Sequence, residues 1–148
     1  MSDSILSNRD GLIVDKGTWT PVVDKVLTTQ TLPTYTTTLS GGIYYRIGKL
    51  CYISCCLHIN VTSAGNADIC ISGLPYLSED STTGRYQQFS TNCLNDSSAT
   101  RYGIARLPDN SSKVVIIKHS ADENQFYTTG NLILSFSGAY IINSSYGG

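Results

Sequence analysis

The clearest pattern in the chain is a strict alternation of apolar and polar residues between Leu50 and Thr62. Its apolar positions are Cys51, Ile53, Cys55, Leu57, Ile59 and Val61. Successive side chains of a β-strand point to opposite faces, whereas a helix would scatter these residues around its circumference. The alternation therefore predicts one long strand with a buried face and a more polar face, which carries His58.

Shorter stretches of similar character predict further strands on both sides. They are Thr18–Val23, Tyr35–Leu39, Ile43–Ile47, Ala67–Ser72, Arg85–Thr91, Arg101–Leu107, Val114–His119 and Leu132–Asn143. Ser40–Gly42 and Gly48–Lys49 contain the glycines that tight turns need, and each is predicted to close a hairpin. The stretch Ala67–Ser72 is expected to pair back on the long strand before Gly73 and Pro75 end it.

Composition supports an all-β chain, because Thr, Ile, Val and Tyr are abundant whereas good helix formers are scarce. The 148 residues suffice for one domain, and 41% of them are hydrophobic, so the chain should fold. We predict an antiparallel two-layer β-sandwich, related to a jelly roll, with about eight or nine strands and little or no helix.

The first 16 residues are polar and weakly patterned, and we expect them to form an arm ahead of a β-domain that spans residues 17–148. Within this arm, the apolar run Leu12, Ile13 and Val14 provides an apolar contact through which the protein would dock on its partners.

Residues 114–117 are apolar at four successive positions, so both strand faces there are apolar. A second copy of the chain would cover the outer face, and we expect Val115 or Ile117 in that interface.

The five cysteines are an odd number, so at least one thiol stays unpaired within the chain. Nothing at the N-terminus reads as a signal peptide, and we therefore expect synthesis in a cytoplasm and reduced thiols. Cys51 and Cys55 would lie about 13 Å apart on one strand face, too far to share one metal ion. Cys56 would point to the opposite face from Cys55. We expect no metal site and no cofactor.

Catalytic motifs are not visible in the sequence. The two histidines, His58 and His119, have no marked partner, and no nucleophile elbow, zinc-protease motif or phosphate loop occurs. We therefore expect a protein that is not an enzyme. The formal net charge of −1 argues against nucleic-acid binding, and no apolar run approaches the roughly 20 residues of a membrane helix.

The ten tyrosines suggest contacts with other molecules, because a ring with a hydroxyl suits protein interfaces and the faces of sugars. If the protein binds a carbohydrate, we expect the contacts to come from three loops, 76–86, 92–101 and 120–127. The candidate ligand-binding residues there are Tyr76, Arg85, Tyr86, Asn95, Asp96, Arg101, Asp122, Asn124 and Tyr127.

Four segments, in this order, resemble the pattern of a domain family found in bacteriophage tail fibres and related virion proteins. They are the Gly-Thr-Trp-Thr-Pro opening at Gly17–Pro21, the Tyr-Arg-Ile-Gly segment within Gly42–Ile53, the Ser-Gly-Leu-Pro segment within Ile71–Tyr76, and the Ser-Gly-Ala-Tyr end of Ser135–Tyr140. The order and spacing of the segments fit from Gly17 to Ile142.

The resemblance implies a β-sandwich at a fibre tip or on a virion surface, usually a homotrimer, that often recognises the host surface. No catalytic residue transfers. Because only residues 1–16 precede the domain, we expect a head fibre, baseplate tip or capsid-bound knob rather than a long fibre. Two functions stay open: binding of host-surface glycans, or a purely structural role on other virion proteins. A secreted lectin-like adhesin is a third possibility, which the missing signal peptide disfavours.

Overall fold

The computed structural model describes residues 6–7, 13–80, 87–95, 100–101, 104–117 and 127–143. The strands are β1 (Leu6–Ser7), β2 (Ile13–Trp19), β3 (Val22–Asp24), β4 (Thr34–Ile47), β5 (Leu50–Ser63), β6 (Cys70–Ser72), β7 (Gln87–Asn95), β8 (Thr100–Arg101), β9 (Ile104–Leu107), β10 (Val114–Ile117) and β11 (Gly130–Ile141). Their pairings are antiparallel, and no helix occurs within the described ranges. The prediction of an all-β fold is confirmed.

The eleven strands found in the described ranges belong to one sheet that curls back on itself. Its order is β1-β2-β4-β5-β11-β7-β9-β10-β6-β3, and β8 pairs with β7 outside this path. β2 and β3 are second and tenth in this order, so a flat sheet would hold them about 38 Å apart. Only Thr20 and Pro21 connect them, and such a link reaches about 11 Å at most. The sheet therefore curls until these two strands come close; its division into two layers stays a prediction.

β5 is the long strand that the alternation predicts, and its inner side chains form the centre of the core. Its inward positions are buried at every second residue from Cys51 to Val61. β11 pairs along almost all of β5 and adds its own buried face. On that face the Phe136 ring lies 6.1 Å from the Phe89 ring and 6.3 Å from Trp19, measured between centroids. The core thus extends from β2 across β11 to β7.

β4 is a single strand of 14 residues, although the sequence predicts two strands separated by a turn at Ser40–Gly42. That turn prediction is wrong, because Gly42 continues the strand and faces the core opposite Trp19. A Cβ at Gly42 would overlap the Trp19 indole, so this glycine supplies space rather than a chain reversal. The other predicted turn is confirmed: Gly48, with a φ of +57°, joins β4 to β5.

The predicted strand Thr18–Val23 is divided in two at Thr20–Pro21, where β2 ends and β3 begins. Pro21 has no N–H group to donate to a continuous ladder. Gly73, which follows β6, adopts a φ of +101° and approaches the Thr20 carbonyl oxygen so closely that a Cβ would overlap it. The corner between β2 and β3 is therefore packed against the backbone of a distant segment.

The expected pairing of Ala67–Ser72 with the long strand is also wrong. β6 pairs with β10 and β3 instead of folding back on β5. Its backbone hydrogen bonds are therefore made with strands that are distant in the sequence. The expected arm of residues 1–16 overlaps β2, whose Val14–Lys16 segment pairs in register with β4. Of the predicted docking residues, Ile13 and Val14 belong to the sheet, and Leu12 lies outside the described residues.

Of the four cysteines whose side chains the structure describes, three lie inside the core. Cys51, Cys55 and Cys70 are at most 2% exposed. Burial raises the pKa of the Cys51 thiol to about 11 and the pKa values of the Cys55 and Cys70 thiols to about 12. Cys56 lies on the outer face of β5 and is partly exposed. Because the thiolate is the reactive form, the three buried thiols should be inert in the folded protein.

We expect iodoacetamide to label Cys56 in the native protein while Cys51, Cys55 and Cys70 remain unmodified. Peptide mass spectrometry after a timed quench measures each site, and the same reaction in denaturant, where all four should react, is the control. Rapid native labelling of Cys51 and Cys55 would show that the two faces of β5 are reversed.

Candidate interaction surface

The outer face of the sheet carries large apolar side chains beside the turn that joins β4 to β5. The register aligns Ile47 with Leu50, and Tyr45 with Tyr52, across these two strands. β2 and β11 extend the same rows on either side. The resulting set, named the apolar face hereafter, comprises Val14, Tyr45, Ile47, Leu50, Tyr52 and Ile141. All of them except Val14 are between 42% and 56% exposed.

This surface is apolar because the outward positions on both sides of the turn are aliphatic or aromatic. Residues directly opposite on antiparallel strands have Cβ atoms about 5 Å apart, so their side chains form a continuous patch. Contiguous exposed apolar patches of this kind mark sites of interaction, and tyrosine is enriched at protein interfaces. The apolar face is therefore the strongest candidate for a contact with another molecule.

The sequence interpretation overlooked the apolar face, although a signal for it was present. Even and odd positions of a strand point to opposite faces, and both kinds carry an apolar or aromatic residue here: Tyr44 on one face, Tyr45 and Ile47 on the other. At least one of these side chains therefore points outward, whichever face is buried. Arg46 lies on the buried face of β4 although it is charged. It is only 4% exposed, and its Nε donates to the Gly48 carbonyl oxygen at 2.7 Å. The inward arginine leaves Tyr45 and Ile47 on the outside.

A groove of about 560 Å³ opens on the same outer face where β2 ends. Beyond Trp19, the described pairings give β4 no partner strand on that side, and Gly41 contributes no side chain. Trp19, whose indole packs into the core, borders the groove at the end of β2, and its Nε1 donates to the Ile43 carbonyl oxygen at 3.2 Å. Leu39 and Cys56 line other parts of the groove.

Tyr76, a predicted ligand-binding residue, directs its hydroxyl into the protein. It donates to Asp15 Oδ2 at 2.6 Å, and Tyr44 donates to the same oxygen at 3.1 Å. The Arg46 guanidinium lies 4.7 Å from the centre of the Tyr76 ring. Burial and the neighbouring carboxylate raise the pKa of Tyr76 and raise that of Tyr44 to about 12. These contacts join β2, β4 and the segment after β6, and they engage the Tyr76 hydroxyl within the chain.

Tyr127 is a core residue, so the expectation that it contacts a ligand from a surface loop is wrong. It is 1% exposed. Its hydroxyl donates to the Cys70 carbonyl oxygen and accepts from the Cys70 N–H, both at 3.1 Å. Buried backbone groups need such partners, and one phenol here satisfies two of them.

The other predicted ligand-binding residues are not gathered into a described site. Asn95 lies on β7 and Arg101 on β8, two strands that pair with each other. The remaining five are outside the described residues: Arg85, Tyr86, Asp96, Asp122 and Asn124. Carbohydrate binding by these loops stays a prediction.

The predicted interface residues Val115 and Ile117 lie on β10, and the Val115 side chain is partly buried. In the order of the sheet, β11, β7 and β9 separate β10 from β5. The predicted interface and the apolar face are therefore different surfaces of the protein.

Within the described part of the chain, no three His, Cys, Asp or Glu side chains gather in a way that could hold a metal ion. Among the same residues, no helix has the length and apolar character needed to cross a membrane.

No protein-family model, no curated protein and no solved structure matches this chain significantly.

Proposed function

We propose that the protein is a structural subunit of a bacteriophage particle, a fibre-tip or capsid-bound knob that assembles as a homotrimer through its apolar face. The observation that carries this proposal is the continuous exposed patch on β4, β5 and β11. Subunit contacts in homo-oligomers are more apolar than the rest of a protein surface, and closed symmetry is their usual form. The location on a phage particle and the trimeric state are what the resemblance to virion domains implies.

Contacts between the motif segments also support this assignment. A Cβ at Gly17 would lie 2.9 Å from the Tyr44 ring, so the first segment packs on the second. The Tyr44 and Tyr76 rings meet edge to face, with centroids 5.9 Å apart, which joins the second segment to the third. The Tyr140 hydroxyl of the fourth segment donates to the Tyr76 carbonyl oxygen at 2.9 Å. Residues that resemble one family pattern thus depend on one another.

Between the two functions that the sequence leaves open, we favour the structural role. Of the predicted ligand-binding tyrosines, Tyr76 and Tyr127 use their hydroxyls inside the chain. The apolar face, in contrast, is mostly aliphatic, and only the hydroxyls of Tyr45 and Tyr52 add polar groups to it, so it suits a flat protein contact.

The test is the mass of the protein in solution, measured by light scattering for the wild type and two variants. Leu50→Glu places a charge within the apolar face, and Leu27→Glu makes the same change in a loop outside it. The two leucines are 53% and 58% exposed, so the substitutions are closely matched. Burying an unpaired carboxylate is costly, and we expect Leu50→Glu alone to dissociate the trimer.

A monomeric wild type would refute the proposal. So would a Leu50→Glu variant that retains the mass of the wild type while circular dichroism shows both proteins folded.

A further inference from the structure

Cys56 and His58 form a close pair on the outer face of β5. Residues two apart on a strand point to the same side, and Cys56 Sγ lies 3.6 Å from His58 Nε2. Both side chains are partly exposed, unlike the buried thiols of Cys51 and Cys55 on the inner face. The sequence places an unpaired thiol beside an imidazole at a distance suited to transfer of a proton.

The surroundings of the sulfur leave it open to a small molecule. Gly41 lies opposite Cys56 on β4, and a Cβ at Gly41 would meet nothing within 4 Å. Ser135 lies opposite Cys56 on β11. The groove of about 560 Å³ that Cys56 lines is also lined by the exposed side chains of Leu39 and Ile43. A group attached to the sulfur would therefore find both space and apolar surface.

No charged group competes with the histidine among the described neighbours of this pair. On β4 and β11 the residues opposite His58 are Leu39 and Ile133, and those opposite Cys56 are Gly41 and Ser135. Along β5 the nearest residues on the same face are Ser54 and Asn60. None of these six residues carries a side chain that ionises near neutral pH, so His58 is the base available to the Cys56 thiol.

We propose that Cys56, activated by His58, is a thiol-exchange site that accepts low-molecular-weight disulfides with an apolar substituent. His58 Nε2 takes the proton from the Cys56 thiol, and the resulting thiolate attacks one sulfur of the disulfide. A new S–S bond to Cys56 forms as the old one breaks, and the other half leaves as a thiolate. That thiolate takes the proton from the imidazolium. Cys56 is thereby oxidised, and the disulfide is reduced to one free thiol.

This site is separate from the apolar face and does not depend on the proposed function. Cys56 lies four residues along β5 from Tyr52, which corresponds to about 13 Å. Assembly through the apolar face therefore leaves the sulfur accessible, and the same chemistry is expected whether the protein is a trimer or a monomer.

The test follows the reaction of the full-length protein with dipyridyl disulfide, whose released thione absorbs light. An ordinary thiol is only a few per cent ionised at neutral pH, so a working base accelerates the reaction. We expect a fast phase whose adduct maps to Cys56 by peptide mass spectrometry. In His58→Gln this phase should be about tenfold slower at neutral pH. At alkaline pH, where the thiol ionises without help, the two proteins should react alike.

His119→Gln, which removes the other histidine, is the matched control and should react like the wild type. His58→Thr, with a good strand former, repeats the test if the glutamine variant unfolds. The proposal is overturned if the adduct maps to any cysteine other than Cys56. It is also overturned if a folded His58 variant reacts at the wild-type rate at neutral pH, or if the rates still differ at alkaline pH.

Discussion

Deletion of residues 1–16 is expected to prevent folding, whereas deletion of residues 1–12 should leave the domain folded. The longer deletion removes the first half of β2, including Asp15, from its pairing with β4. The hydroxyls of Tyr44 and Tyr76 then lose their acceptor, and β4 loses its ladder partner along Val14–Lys16. Each polar group left without its partner costs about 1 to 3 kcal/mol, against a total stability of about 5 to 15 kcal/mol.

Circular dichroism and urea unfolding of the two truncated proteins measure this difference. Asp15→Asn in the full-length chain is an intermediate case, since it keeps the strand and removes only the charge. It should lower the free energy of unfolding by about 2 kcal/mol, because charged hydrogen bonds contribute more than neutral ones. Equal stability of the two deletions would mean that residues 13–16 are a separable arm after all.

The second large effect is expected at alkaline pH, where the protein should lose stability steeply above about pH 9. Burial raises the pKa values of Cys55 and Cys70 from 9.0 to about 12 in the folded state. A raised folded-state pKa contributes stability that is complete below the unfolded value and disappears as pH rises toward the folded value. Since one pKa unit corresponds to about 1.4 kcal/mol, the two thiols together account for on the order of 5 kcal/mol or more.

Urea unfolding at a series of pH values measures this loss. The free energy of unfolding should be nearly constant between neutral pH and about pH 9 and should then fall up to about pH 12. Burial also raises the pKa values of Tyr44 and Tyr140, which adds to the fall above about pH 10. A double variant, Cys55→Ala with Cys70→Ala, is less stable at neutral pH but should show a shallower slope. An unchanged slope in that variant would show that these thiols do not titrate with unfolding.

Local patterns in the sequence predicted the elements whose conformation depends on residues close together in the chain. The alternation of β5 was sufficient, because each inward residue from Cys51 to Val61 is apolar and the core needs one such face. The Gly48 turn followed from the same local chemistry. Gly42 shows where such reasoning fails: a glycine required for the approach of Trp19, a contact made by another strand, looks in sequence like a turn glycine.

Long-range pairing explains the remaining errors. Nothing local indicates that β6 pairs with β10 and β3, or that Tyr127 satisfies the backbone of Cys70 across 57 residues. The apolar face was hidden for a similar reason. Its identification requires Arg46 to point inward, and a buried guanidinium becomes acceptable only through partners such as the Gly48 carbonyl, which the fold brings to it.

The most direct test of the central claim is a crystal structure of the purified oligomer. We expect a threefold arrangement in which Leu50, Tyr52 and Ile141 of each subunit are buried against a neighbouring copy. An oligomer in which these residues face solvent, with the subunit contact formed instead around Val115 on β10, would contradict it.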